Sequence, residues 1–167
     1  MGSAASLSRR KFLSGRLRNA PAPLRPPWTD ETSILDACTA CGACVGACPQ
    51  GILAAGADGR PVLSFAENEC TFCGACAEAC PEPVFASLDT RAFAHVVAIG
   101  TSCLAGKGIH CQTCGDTCPE GAIRFRPRIG GPPLPELRAD ACTGCGACIA
   151  ACPAEAISAR PLETAND

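Results

Sequence analysis

Three stretches of this sequence repeat one arrangement of thiols: CTACGACVGACP from Cys38, CTFCGACAEACP from Cys70 and CTGCGACIAACP from Cys142. Each is spaced C-x2-C-x2-C-x3-C and closed by a proline. A fourth run, CLAGKGIHCQTCGDTCP from Cys103, stretches the first gap to seven residues but keeps Cys111, Cys114, Cys118 and Pro119. Together the runs use all 16 cysteines of the 167-residue chain. Thiolates are soft ligands for transition metals, and three of them on one tight loop can cap three corners of a single inorganic cube. The third and fourth cysteines, such as Cys44 and Cys48, stand at i and i+4. One helical turn therefore places them on the same face, about 5–6 Å apart at their Cβ atoms, and the fourth projects past its own cube toward a neighbour.

This is the spacing of bacterial [4Fe-4S] ferredoxins, in which the fourth cysteine of each run ligates the other cluster of a pair. Four clusters are expected, or three if the Cys103 quartet is not a cluster site. Gly42, Gly74, Gly115 and Gly146 are expected to let the backbone wrap closely around the cubes. Pro49, Pro81, Pro119 and Pro153 fix φ and remove a donor just after the fourth ligand, turning the chain out of the helix. Two other chemistries fit less well. Disulfides disfavour contiguous quartets on geometric grounds, and zinc prefers C-x2-C pairs separated by a dozen or more residues. His95 and His110 are nominal ligands, but with four cysteines per cube they read as ordinary strand and loop residues.

The elements that must hold these loops are short. Extended candidates precede the quartets (PVLSF before Cys70, HVVAIG before Cys103, LPELRA before Cys142) and follow their prolines (GILAAG, PVFASL, GAIRFRP, AEAISAR). Helical turns flanked by short strands, repeating 32 residues apart from Cys38 to Cys70, predict an α+β fold of tandem bacterial-type 2[4Fe-4S] modules. Their cores are small and filled by clusters. The expected divisions are a basic N-terminal arm (1–30), module one (31–89), module two (90–161) and a tail (162–167). In module one, Cys38, Cys41 and Cys44 should share a cluster with Cys80, and Cys70, Cys73 and Cys76 with Cys48. In module two, Cys103, Cys111 and Cys114 should join Cys152, and Cys142, Cys145 and Cys148 should join Cys118. The GKGIH insertion is then a surface loop beside one cluster.

Composition agrees with a core not made of side chains. The hydrophobic share of 47% includes the cysteines, aromatics are only 4%, and there is one Trp and no Tyr. Such a chain buries little large apolar surface per residue. Charge is uneven: residues 1–28 hold six basic groups (Arg9, Arg10, Lys11, Arg16, Arg18, Arg25) and no acid, leaving the remainder at −8. An acidic body argues against nucleic acid and suits a redox partner with a basic face. The SLSRRKFLSGRLR arm begins like a twin-arginine signal, but no apolar run follows Leu13, and Pro21, Pro23, Pro26 and Pro27 break any insertable helix. We expect no export and no membrane span. Arg9, Arg10, Lys11, Arg16 and Arg18 instead suggest a docking segment for a partner.

Iron-sulfur cubes exchange single electrons with their ligands fixed. The sequence carries no phosphate-binding loop, dinucleotide motif or serine-nucleophile motif, so no enzyme is expected. The SRRKFLSGRLR arm, the RPPW at Arg25–Trp28, the three regular quartets and the stretched third quartet together resemble the NapF family, ferredoxin-type accessory proteins of periplasmic nitrate reductase systems. The resemblance covers nearly the whole chain. It implies a cytoplasmic iron-sulfur protein that binds the precursor form of the catalytic molybdenum subunit and assists its maturation before export, by electron supply or by iron-sulfur centre assembly. The competing readings are a general electron-transfer ferredoxin in a nitrate-respiration chain and a permanent relay subunit exported with its complex.

Overall fold

A computed structural model describes residues 23–162. Among them no helix is long and apolar enough to cross a membrane. The longest helix among the described residues, α1 (Glu31–Ala37), starts at a capping box: the Asp30 carboxylate accepts from the Ser33 amide at 2.7 Å, and the Asp30 amide donates to the Ser33 hydroxyl at 3.2 Å. These contacts satisfy donors that a helix start leaves open. Its apolar residue Ile34 is fully buried. The other described helices are single turns, one per cysteine run: α2 (Ala43–Ala47), α3 (Ala75–Glu78), α4 (Thr113–Asp116) and α5 (Ala147–Ala150). Each contains the third cysteine of its run and ends just before the fourth.

Among the described residues six strands form three two-stranded antiparallel sheets. β1 (Leu53–Ala55) pairs with β2 (Pro61–Leu63), Ala54 opposite Val62. β4 (Ile123–Arg128) pairs with β5 (Gly131–Leu137), Phe125 opposite Pro135. β3 (His95–Ile99) pairs with β6 (Ile157–Pro161), Val97 opposite Ala159. The outer pair β3–β6 closes the C-terminal half around its two cysteine runs. Val96 and Val97 in β3 are both fully buried, as β-branched residues of a closing strand should be.

Among the described residues the N-terminal half has no matching outer pair. PVFASL, expected as a strand, is a series of turns. The segment that faces it is RPPW, and Pro26, Pro27, Pro81 and Pro83 remove backbone donors from both sides of the would-be ladder. What remains is a local anchor: the Trp28 amide donates to Ala92 O at 2.7 Å, the Ala86 amide to Trp28 O at 2.8 Å, and the indole N–H to Thr90 O at 3.2 Å. Pro26 and Trp28 are buried. Arg25, counted above among the cations of the arm, forks onto Glu31 at 2.7 and 2.9 Å and donates to Pro61 O at 3.0 Å, its side chain only 8% exposed. The chain is thus packed from Leu24 onward.

Two apolar clusters form the core. One gathers Ile52, Leu53, Leu63, Phe65 and Phe93 around Cys44, Cys70 and Cys76. The other gathers Val96, Val97, Ile123 and Ile157 around Cys114, Cys142 and Cys148. Ile149 packs against both.

Candidate metal centres

In each regular run the chain turns left-handed twice, on either side of the second cysteine. Before it stand Ala40 (φ 57°), Phe72 (φ 55°) and Gly144 (φ 80°); after it stand Gly42 (φ 77°), Gly74 (φ 78°) and Gly146 (φ 86°). These reversals curl the first three thiols around one centre, and Gly42, Gly74 and Gly146 also cap α2, α3 and α5. Ala40 and Phe72 hold the strained conformation with a side chain. Ala40→Gly should therefore stabilise the chain by about 0.5–1 kcal/mol, read as a later thermal midpoint with unchanged visible absorbance.

The stretched run differs. The residue after its second cysteine is Gln112, with φ −131°. Gly115, grouped above with the wrapping glycines, lies inside α4, and a Cβ there would stand 2.9 Å from the Phe125 ring. Its lack of a side chain serves close packing on β4, because it follows the third cysteine and not the second. The inserted residues 106–110, His110 included, are exposed. They are held at their base by the buried Ala105, whose carbonyl accepts from the Arg128 guanidinium at 3.3 Å.

The cysteines come together across runs. Cys48 lines one cavity with Cys70, Cys73 and Cys76; Cys152 lines a second with Cys103, Cys111 and Cys114; Cys118 lines a third with Cys142, Cys145 and Cys148. In the remaining set Cys44 is flanked by Cys38 and Cys80, whose charges add to burial in raising its thiol pKa. Cys41, on the same loop, is exposed. Pro27 and Trp28 line the first of these cavities, so the RPPW segment closes one of the cysteine sets. Among the described residues no three His, Cys, Asp or Glu side chains converge on a point suited to a single metal ion.

Burial dominates the electrostatics of these thiols. It pushes Cys70, Cys76 and Cys114 up to about 11 and Cys148 up to about 12, with neighbouring cysteines contributing further. Without a cation the buried thiols stay protonated at neutral pH, and any metal that binds them must displace protons. Backbone donors already point at some sulfurs: the amides of Ala122 and Ala156 reach Cys118 and Cys152 Sγ at 3.3 Å, and that of Ala40 reaches Cys38 Sγ at 3.4 Å. Such bonds favour thiolate and tune a cluster's potential.

His95 has a role that spacing did not reveal. It is buried in β3, its Nε2 is 2.9 Å from Gly144 O, and its ring packs on Phe93 at 4.7 Å between centroids. Burial lowers its pKa. A Cβ on Gly144 would stand 2.9 Å from the His95 carbonyl oxygen, so glycine there is required by space as well as by φ. Arg91 reaches the same loop, donating to Cys142 O at 2.6 Å and Phe93 O at 2.9 Å. Arg9, Arg10, Lys11, Arg16 and Arg18 lie outside the described residues.

The family of the 4Fe-4S dicluster domain matches residues 37–84 and 107–156. The ferredoxin-type protein NapF of Escherichia coli strain K12 is 48% identical over 156 residues, 93% of this chain and 95% of its own. NapF of Haemophilus influenzae is 43% identical, covering 95% of this chain and 96% of its own. The ferredoxin-type protein NapG of E. coli is 34% identical over 86% of this chain and 72% of its own.

Proposed function

The chain belongs to the NapF family of ferredoxin-type proteins, and from that premise we propose that it is a cytoplasmic accessory iron-sulfur protein, not an enzyme, serving periplasmic nitrate reductase. In this reading it binds the catalytic molybdenum subunit in precursor form and assists its maturation before export. The observation that carries the assignment is a likeness extending over 93% of the chain, well beyond the cysteine runs that many ferredoxins share.

The cysteine sets fit four [4Fe-4S] clusters. Cys38, Cys41, Cys44 and Cys80 would hold one; Cys70, Cys73, Cys76 and Cys48 a second; Cys103, Cys111, Cys114 and Cys152 a third; Cys142, Cys145, Cys148 and Cys118 a fourth. The lining of three cavities by four cysteines each supports including the stretched Cys103 set. A cube gives each thiolate its own iron, so its ligands need not converge on one point. Bound there, a cube supplies one-electron chemistry. The chain's own part is to supply the sulfurs, to aim amides at them and to keep water off the buried face. The two modules are residues 31–89 and 90–161, with the RPPW segment packed onto the first.

Anaerobic affinity purification from cytoplasm of nitrate-grown cells tests the assignment. The expected eluate contains a signal-bearing molybdenum reductase precursor and about 16 irons per chain. Recovery of a membrane redox complex in its place would favour a general electron carrier, and about 12 irons would remove the Cys103 set. Because Trp28 lines the Cys70 site, the arm is best tested by deleting residues 1–22 only. Loss of precursor binding with iron retained is the expected outcome; undiminished binding would dismiss Arg9, Arg10, Lys11, Arg16 and Arg18 as contacts.

A further inference from the structure

We propose that the two modules are locked together through their ligand loops, at a junction of Cys70 and Cys145 sealed by Phe65, Phe93 and His95. The four cysteine sets then stand in one file: the Cys38, Cys70, Cys142 and Cys103 sets, in that order. The inference rests on the cluster reading above. Within each module the order follows from shared helices. Cys44 lies on α2 and Cys48 caps its end, yet they serve different sets; likewise Cys148 lies on α5 and lines one cavity, while Cys152 just past the end of that helix lines the other.

Across the modules, the Cys70 amide donates to the Cys145 carbonyl at 2.8 Å. This is a main-chain bond between two ligand residues of different sets. Around it the Phe65 ring occupies the space a side chain on Gly146 would need. Phe65 meets Phe93 edge-on at 6.1 Å and His95 at 5.9 Å, and the His95 ring is bonded to Gly144 in the same ligand loop. Phe65 is only 3% exposed and Phe93 likewise. Separating the modules would expose these rings to water, which is costly, and break the main-chain bond between Cys70 and Cys145. Phe65 and His95 are positioning residues, since neither touches a cluster through a ligand atom. The file leaves the Cys38 and Cys103 sets at its ends, the latter beside the exposed loop 106–110.

Two measurements on the loaded full-length protein test this. Amide exchange by mass spectrometry should show the Cys70 amide slowed at least about a hundredfold relative to an unstructured chain. Phe65→Ala should remove that protection and Phe65→Leu should largely restore it; a freely exchanging Cys70 amide in the unaltered protein overturns the junction. The double variant Cys41→Ala, Cys111→Ala should retain about eight irons, in the two inner sets. Reduced with dithionite, or with a europium(II) chelate below its reach, it should give an electron paramagnetic resonance spectrum broadened by coupling between centres. Adding Phe65→Ala should narrow it. About eight irons with two independent signals would overturn the junction while leaving the cluster reading intact, whereas unaltered protein that binds no iron would defeat the cluster reading itself. If the double variant loses its iron, the exchange result decides.

Discussion

Stripped of iron anaerobically by a chelator, the chain should lose both its far-ultraviolet signature of secondary structure and any cooperative thermal transition. Nothing local would hold it. Four of its helices are single turns, far below the length at which an isolated helix is even marginal in water. Every sheet among the described residues has two strands, which is likewise marginal alone. The two apolar clusters are built around buried cysteines, so the groups at their centres are the ones that lose their partner. Refolding on iron and sulfide should be easier at mildly alkaline than at acid pH, because the cysteine thiols must release protons to bind metal. A sharp melting transition in fully metal-free protein would show that the side chains suffice without the clusters.

The second large effect separates two glycines that the sequence presents as equivalent. Gly42→Ala meets open space and costs only the left-handed strain, about 1 kcal/mol. Gly146→Ala pays the same strain and also drives its Cβ into the buried Phe65 ring. Overpacking of that kind adds about 1–3 kcal/mol, so the second variant should be weaker by a clear margin. Loss of visible absorbance on heating is the readout, since a cluster protein does not unfold in two states. The Gly146 variant should bleach at a distinctly lower temperature than the Gly42 variant. Equal midpoints would mean that Phe65 yields and that the contact between modules is slack.

Much of the site was legible because its signal is covalent spacing. Three thiols on one loop and a fourth one helical turn later have few geometric solutions, and the structure brings Cys48 to Cys70, Cys152 to Cys103 and Cys118 to Cys142. The prolines after Cys48, Cys118 and Cys152 open turns, with i to i+3 bonds from Gly51, Gly121 and Glu155. Helix α1 was missed although Asp30 and Ser33 spell its capping box. The strand expected over PVFASL failed because apolar alternation does not report what lies opposite, and what lies opposite is RPPW. Gly115 was misread because it was aligned by its neighbour in sequence and not by its place relative to the second cysteine.

Residue types and their intervals determined which cysteines line each of three cavities and where the single-turn helices fall. These are short-range consequences of chain geometry, fixed within about one helical turn. Only the tertiary structure decided that Arg25 and Trp28 belong to the packed body, that His95 braces Gly144, and that Cys70 bonds to Cys145 across the chain. Those contacts join residues tens of positions apart. They depend on which apolar surfaces are left to cover once each loop has closed on its own cysteines, and no local pattern encodes that remainder.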